Sequence, residues 1–114
     1  MRRIISAEEI VESYKKSGIK PTNYRFVDCD QNGKFCGCAI TSLSVAYHGV
    51  LPEYDSDGKS AVIKWGIDYF GPNIFKGILN GFDNPHYTYV GLYITSMMRQ
   101  ANEASLAAVK LGLS

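Results

Sequence analysis

Three cysteines in the first third of the chain are the side chains best suited to chemistry. Cys29, Cys36 and Cys38 would share one face if a strand continues through residue 38, because alternate strand residues point the same way. With His48 or His86 as a fourth ligand, they could form a Cys₃His zinc site. Their spacing differs from the paired Cys-x-x-Cys motifs of zinc ribbons, and free cysteines often pack as small apolar residues. We therefore expect buried thiols. A metal or thiol site on these residues is the alternative.

The same segment could instead supply a catalytic thiol. If a helix begins near Gly37, Cys36 and Cys38 lie at its positive end, which lowers a thiol pKa. The base would have to be His86, or His48, which falls past the other end of that helix. An odd number of cysteines without an export signal indicates free thiols in a reducing compartment. The sequence favours a protein without catalysis, and we expect no cofactor.

Two short motifs resemble ligand-binding loops but lack essential residues. Residues 28–33 match the first half of an EF-hand calcium loop, but Ala39 occupies the position of the bidentate glutamate. Residues 58–60 resemble the end of a phosphate-binding loop, but Glu53 replaces its first glycine. We interpret both motifs as turns.

The composition bounds the class of protein. The chain has 114 residues, of which 46% are apolar, and a formal charge of +1. This length suits one domain, residues 1–114, with one hydrophobic core. The balanced charge argues against a nucleic-acid partner, which needs clustered Lys and Arg. No run of about 20 apolar residues spans a membrane, and no signal-peptide stretch follows Met1. We expect a cytoplasmic protein with no membrane partner.

The first elements have clear local signals. Ser6 and Glu9 form a capping-box pattern at the start of a helix, and Gly18 predicts its end. The dipeptide Asn32-Gly33 predicts a hairpin near residues 24–36, with a two-residue turn that places Cys29 opposite Cys36.

The rest of the chain reads as helices. A buried helix is expected from Gly37 to about Tyr47, a third from about Ser60 to Phe70, and a fourth from Pro72. Gly77 and Gly81 lie on one face of the fourth helix, and we expect them to allow close approach of a neighbouring backbone. The predicted fold is α+β and mainly α, with about five helices and one short β-hairpin.

The last helix is the main candidate for an interface. It is expected to open near residues 83–85 and to run to about Leu111, some 37 Å if unbroken, which exceeds a compact body of this size. An overhanging apolar stripe indicates a partner, most simply a second copy of the chain. The candidate interface residues are Val90, Ile94, Met97, Met98, Ala101 and Ala108. The aromatic residues near its start are interpreted mainly as core, and a ligand pocket or an interface anchor is the alternative. They include Tyr69, Phe70, Phe75, Phe82, Tyr87, Tyr89 and Tyr93.

The chain resembles a loose set of short uncharacterised bacterial and phage-borne proteins. The resemblance lies in the segment Tyr14–Pro21, in the Cys-Gly-Cys-Ala-Ile segment at residues 36–40, and in Gly77–Asp83. No activity is assigned to that set, so the resemblance implies no functional residue.

From these observations we expect a small cytoplasmic protein that acts without catalysis, through self-association or binding of another protein. A homodimer is the simplest form. The alternative function is a metal or thiol site built on Cys29, Cys36 and Cys38.

Overall fold

The computed structural model describes residues 3–23, 25, 26, 28, 29, 31–48, 56–85 and 95–113. The elements in chain order are α1 (Ala7–Ser17), β1 (Lys20–Pro21), β2 (Asp28–Cys29), β3 (Phe35–Gly37), α2 (Ala39–His48), α3 (Ser56–Phe70), α4 (Pro72–Asp83) and α5 (Thr95–Lys110). The predicted fold class is confirmed, because the described residues form five helices and one small sheet. None of the helices in these ranges is long and apolar enough to cross a membrane.

Helix α1 begins and ends as its sequence predicts. The Ser6 hydroxyl accepts a hydrogen bond from the Glu9 N–H at 3.1 Å, and the Glu9 carboxylate accepts one from the Ser6 N–H at 2.9 Å. This capping box satisfies two backbone donors at the helix start. Gly18 ends the helix in the left-handed conformation with φ of 72°, and its N–H donates to the Tyr14 carbonyl.

The sheet has one more strand than predicted, and its hairpin register differs by one residue. β3 is central, with β1 parallel on one side and β2 antiparallel on the other. Cys29 lies opposite Phe35, not opposite Cys36 as a two-residue turn would require. An odd number of residues therefore separates the partners, and Gly33 in the loop has φ of 77°. A three-residue hairpin loop with a glycine in the left-handed region fits this register.

Helix α2 is the central helix, as predicted, although it begins at Ala39 because β3 continues through Gly37. Its buried residues are Ala39, Ile40, Thr41, Ser42, Leu43, Ser44 and Ala46. The buried hydroxyls find partners on neighbouring segments. Ser42 Oγ shares a 2.5 Å hydrogen bond with Ser13 Oγ of α1, and Thr41 Oγ1 donates to the Phe26 carbonyl. Such pairing removes the cost of burying polar groups.

Helices α4 and α5 pack closely because α4 presents glycines at the contact. A Cβ atom on Gly77 would lie 2.8 Å from the Met97 carbonyl oxygen, and one on Gly81 would lie 2.7 Å from Ala101 Cα. Both distances are shorter than real Cβ contacts. The prediction that these glycines allow close backbone approach is confirmed.

The start of the last helix cannot be compared with its predicted position. Helix α4 continues to Asp83, and Asn84 follows it with a non-helical φ of −129° and ψ of 69°. Helix α5 is described from Thr95 to Lys110, and these 16 residues span about 24 Å. Residues 86–94, where the predicted helix would have continued, lie outside the described residues.

Candidate functional site

The described cysteines are buried in the core. Cys36 and Cys38 are 9% and 2% exposed, and both carry free thiols. Cys38 Sγ lies 3.9 Å from Thr41 Oγ1, and Cys36 Sγ donates to the Lys34 carbonyl at 3.7 Å. Burial raises the pKa of Cys38 to about 11, so this thiol is neutral at physiological pH. A neutral, enclosed thiol is a poor nucleophile and a poor metal ligand.

His48 does not join the cysteines. It is the last residue of α2, whereas Cys38 precedes the first, so about 14 Å of helix separates the two ends. Its imidazole instead packs on Trp65 and Tyr69 of α3. The structure therefore does not bring His48 together with Cys36 and Cys38. His86 and the side chain of Cys29 lie outside what the structure describes.

No group of three His, Cys, Asp or Glu side chains is placed to hold a metal ion within the described ranges. The alternative function, a metal or thiol site, thus gains no support from Cys36 and Cys38.

The predicted interface residues fall into three groups: two are buried, two are half-buried and two lie outside the described residues. Ala101 and Ala108 are fully buried within the chain, because this face of α5 packs on α4 and α1. Neither alanine therefore has surface left exposed for a partner in this structure. Met97 and Met98 are half-buried, and Val90 and Ile94 lie outside the described residues. The apolar stripe of α5 closes the core of its own chain.

A different surface carries the exposed aromatic residues. Tyr47 and His48 at the end of α2 meet Trp65 and Tyr69 of α3, and we call these four residues the aromatic cluster. The Trp65 and Tyr69 rings are stacked at 5.1 Å, and the Tyr47 ring lies 5.6 Å from Tyr69. Tyr47 is 38% exposed, and Tyr69 is half-buried. Behind the cluster, Phe70 is fully buried against Trp65 and Tyr69.

The sequence predicts the buried aromatic residues but not the exposed ones. Phe70, Phe75 and Phe82 are core residues, as expected. Tyr47 and Trp65 were not singled out as a surface feature. The four-residue spacing of Trp65 and Tyr69 places both rings on one side of α3, which is a signal that could have found them. Tyr87, Tyr89 and Tyr93 lie outside the described residues.

An open groove of about 590 Å³ runs between α1 and the aromatic cluster, and we call it the α1 groove. Its walls have different characters. The α2–α3 side supplies Ala46, Tyr47 and Tyr69, whereas the α1 side supplies charged and hydroxyl groups. The α1-side residues are Arg3, Glu8, Glu9, Glu12, Ser13 and Lys16.

At one end of the α1 groove, Arg3 and Glu9 form a bidentate ion pair. The Arg3 guanidinium donates to both carboxylate oxygens of Glu9, at 2.9 and 2.7 Å. These hydrogen bonds lower the pKa of Glu9, so the carboxylate stays charged as part of the helix cap. Next to this pair, partial desolvation raises the pKa of Tyr47. The tyrosine hydroxyl is therefore neutral and able to donate a hydrogen bond.

The exposed charges along α1 are only weakly engaged within the chain. Glu12 lies 3.9 Å from Lys15, and both side chains are about 70% exposed, since their fractions are 67% and 72%. Glu8 pairs with Lys110 at 3.1 Å. Lys16 forms no ion pair among the residues that the structure describes. Exposed pairs of this kind contribute little stability.

Comparison of the chain with protein-family models, with curated proteins and with solved structures found no match. The resemblance to short bacterial and phage-borne proteins stays a prediction.

Proposed function

We propose that this protein acts without catalysis, by self-association, and that the α1 groove and the aromatic cluster form the contact surface. The partner is a second copy of the chain. The observation that carries the proposal is the partly exposed group of Tyr47, Trp65 and Tyr69 beside an open groove whose α1 wall is charged.

The residue types of this surface are those that dominate binding energy. Tyrosine, tryptophan and arginine are enriched at binding hot spots, because they bury much area while keeping a polar group for a hydrogen bond. Tyr47 and Tyr69 place their rings at the groove, and Arg3 also lines it. A contact here would cover the exposed parts of these rings.

The groove supports a second copy as partner because its α1 wall carries both signs of charge. Glu8 and Glu12 lie towards the start of the helix, and Lys16 lies near its end. A twofold contact requires a self-complementary surface, on which each patch faces the matching patch of the other copy. A wall with separated positive and negative groups meets that requirement when two copies approach in opposite directions.

Sedimentation equilibrium of the purified chain between about 1 μM and 1 mM tests the proposal, a range that detects all but very weak association. We expect a dimer that the double substitution Tyr47→Ala/Tyr69→Ala weakens about tenfold or more, since hot-spot truncations commonly cost above 1 kcal/mol. Tyr47→Phe/Tyr69→Phe, which keeps the rings, should weaken it less.

Ile67→Ala and Leu106→Ala are the matched controls, because both residues are exposed and apolar but lie outside the groove lining. Neither should change association. A chain that stays monomeric over the whole range would overturn the proposal. So would a dimer that depends on Leu106 and not on the two tyrosines.

A further inference from the structure

The exposed ridge of α1 carries charge in a definite order. Glu8, Glu12 and Lys16 follow one another at four-residue spacing, so they lie in one row along the helix surface. Lys15 lies beside this row, and all four side chains are exposed. The row therefore runs from negative to positive in the direction of the chain.

Resting on the self-association proposed above, we infer that two copies meet face to face around a twofold axis perpendicular to α1. The two α1 helices then run antiparallel. Glu12 faces the partner's Lys16, and Lys16 faces the partner's Glu12. Tyr47 and Tyr69, which lie on the same side of the molecule at the groove, meet their counterparts beside the helix pair.

The charge order decides where the axis crosses the helix. An axis level with residue 14 lies midway between Glu12 and Lys16, so it brings opposite charges together twice. An axis level with Glu12 would instead place the two Glu12 carboxylates against each other. That register would also pair Glu8 with the partner's Lys16, but Glu8 is already paired with Lys110 in its own chain, so the Glu12 repulsion disfavours it. The remaining exposed pair, Glu8 with Lys110, is satisfied within each chain and does not oppose the contact.

The two partner ion pairs would specify the register more than they would strengthen the contact. Exposed pairs contribute little each, because they are solvated and screened. Lys16 has no competing ion pair in the described chain, and the Glu12–Lys15 pair is long at 3.9 Å. Both groups are therefore available to a partner at little cost. The aromatic surface provides the apolar contact.

Charge reversal tests this arrangement. Glu12→Lys places lysine opposite the partner's Lys16, and Lys16→Glu places glutamate opposite the partner's Glu12. Each single variant should dimerise about tenfold or more weakly, since two attractive pairs become repulsive. The double variant Glu12→Lys/Lys16→Glu restores the pairs in reverse and should recover dimerisation close to that of the unmodified chain.

Mixing the two single variants gives the sharpest result. An equimolar mixture should form the heterodimer, because one chain then carries only lysines on the row's interface positions and the other only glutamates. Glu and Lys have nearly equal masses, so one of the two variants is labelled uniformly with nitrogen-15. Native mass spectrometry then resolves the heterodimer from both homodimers by mass. Circular dichroism of each variant checks that α1 remains folded. Lys76→Glu on α4, which is exposed, is the control for net charge and should leave dimerisation unchanged.

The outcomes separate the two proposals. Weakened single variants with recovery in the double variant and in the mixture support the antiparallel pairing. A dimer that needs Tyr47 and Tyr69 but is insensitive to all of these reversals overturns the pairing and leaves self-association standing. A chain that is monomeric at every concentration overturns both.

Discussion

Gln100 shows what one buried polar residue does in this fold. Its side chain is fully buried, and its amide forms two hydrogen bonds with Ile5, accepting from the N–H at 2.7 Å and donating to the carbonyl at 2.9 Å. The Gln100 amide thus bonds to both the N–H and the carbonyl of Ile5, as a neighbouring strand would do in a β-sheet. It holds the segment before α1 against α5, and so helps to place Arg3 at the end of the groove.

At the scale of single residues, Cys38 should behave as a core residue. We expect iodoacetamide to leave it unlabelled in the folded protein at pH 8 and to label it after unfolding in urea, because burial raises its pKa from 9.0 to about 11. Mass spectrometry of proteolytic peptides identifies the labelled cysteine. Rapid labelling of Cys38 in the native state would contradict this expectation.

The raised pKa of Cys38 should also make the free energy of unfolding decrease as the pH becomes alkaline. A group whose pKa is raised on folding stabilises the protein fully below its unfolded pKa, and this contribution is lost as pH rises towards the folded value. From pH 8 to pH 10, Cys38 ionises mainly in the unfolded chain, so the free energy of unfolding should fall by about 1 kcal/mol from this group. Urea unfolding of Cys38→Ala should show a smaller fall over the same interval.

For the cysteines, the sequence predicts burial correctly but not the cross-strand pairing. Their burial was expected, because the thiol is small and apolar. The predicted pairing of Cys29 with Cys36 differs from the observed one, because a shift of one residue in the hairpin register changes the partner of every strand residue. The Asn32-Gly33 dipeptide indicates a turn but leaves open whether the loop has two or three residues.

At the scale of elements, the packing of α4 on α5 depends on glycines, which have no side chain to hold the helices apart. Gly77 and Gly81 lie four residues apart on α4, opposite the backbone of Met97 and Ala101 on α5. The alanines of α5 complete the contact, since Ala101, Ala104 and Ala108 are fully buried. Small residues on both helices let the backbones approach each other, and this contact brings the last helix onto the core.

Gly81→Ala should therefore destabilise the protein even though alanine favours helices. The new Cβ would lie 2.7 Å from the Ala101 carbonyl carbon, and a backbone atom cannot rotate away. We expect a loss of about 1–3 kcal/mol in the free energy of unfolding, measured by urea denaturation. Lys76→Ala, on the exposed face of the same helix, is the control and should change it by less than about 0.5 kcal/mol. If Gly81→Ala were as stable as Lys76→Ala, the close approach of α4 and α5 at Gly81 would not contribute to the free energy of unfolding.

At the scale of the whole molecule, the outer face of α5 and the proposed contact surface lie on different parts of the chain. Helix α5 closes the core, with Leu106 and Val109 left 45% exposed on its outer face. The α1 groove and the aromatic cluster lie elsewhere, between the first helix and the ends of α2 and α3. The net charge of +1 leaves little long-range repulsion between two copies, so local charge order can govern how they meet.

Association of the proposed kind should respond to salt. Raising the ionic strength from 0.1 to 1 M shortens the screening length from about 10 Å to about 3 Å, which weakens exposed ion pairs. We expect the dimer of the unmodified chain to weaken severalfold in sedimentation equilibrium. The neutral variant Glu12→Gln/Lys16→Gln should change much less. Association that is equally insensitive in both proteins would mean that the α1 charges do not meet across the axis.

Features that depend on neighbours within one or two turns of helix can be predicted from the residues alone. The capping box of Ser6 and Glu9, the end of α1 at Gly18 and the start of α4 at Pro72 are local, because the partners of each backbone group lie a few residues away. Which face of α5 is buried, and which aromatic rings share a surface, follow from how the helices pack. Tyr47 and Tyr69 come from different helices, and their meeting depends on how those helices pack, which the spacing within either helix does not contain.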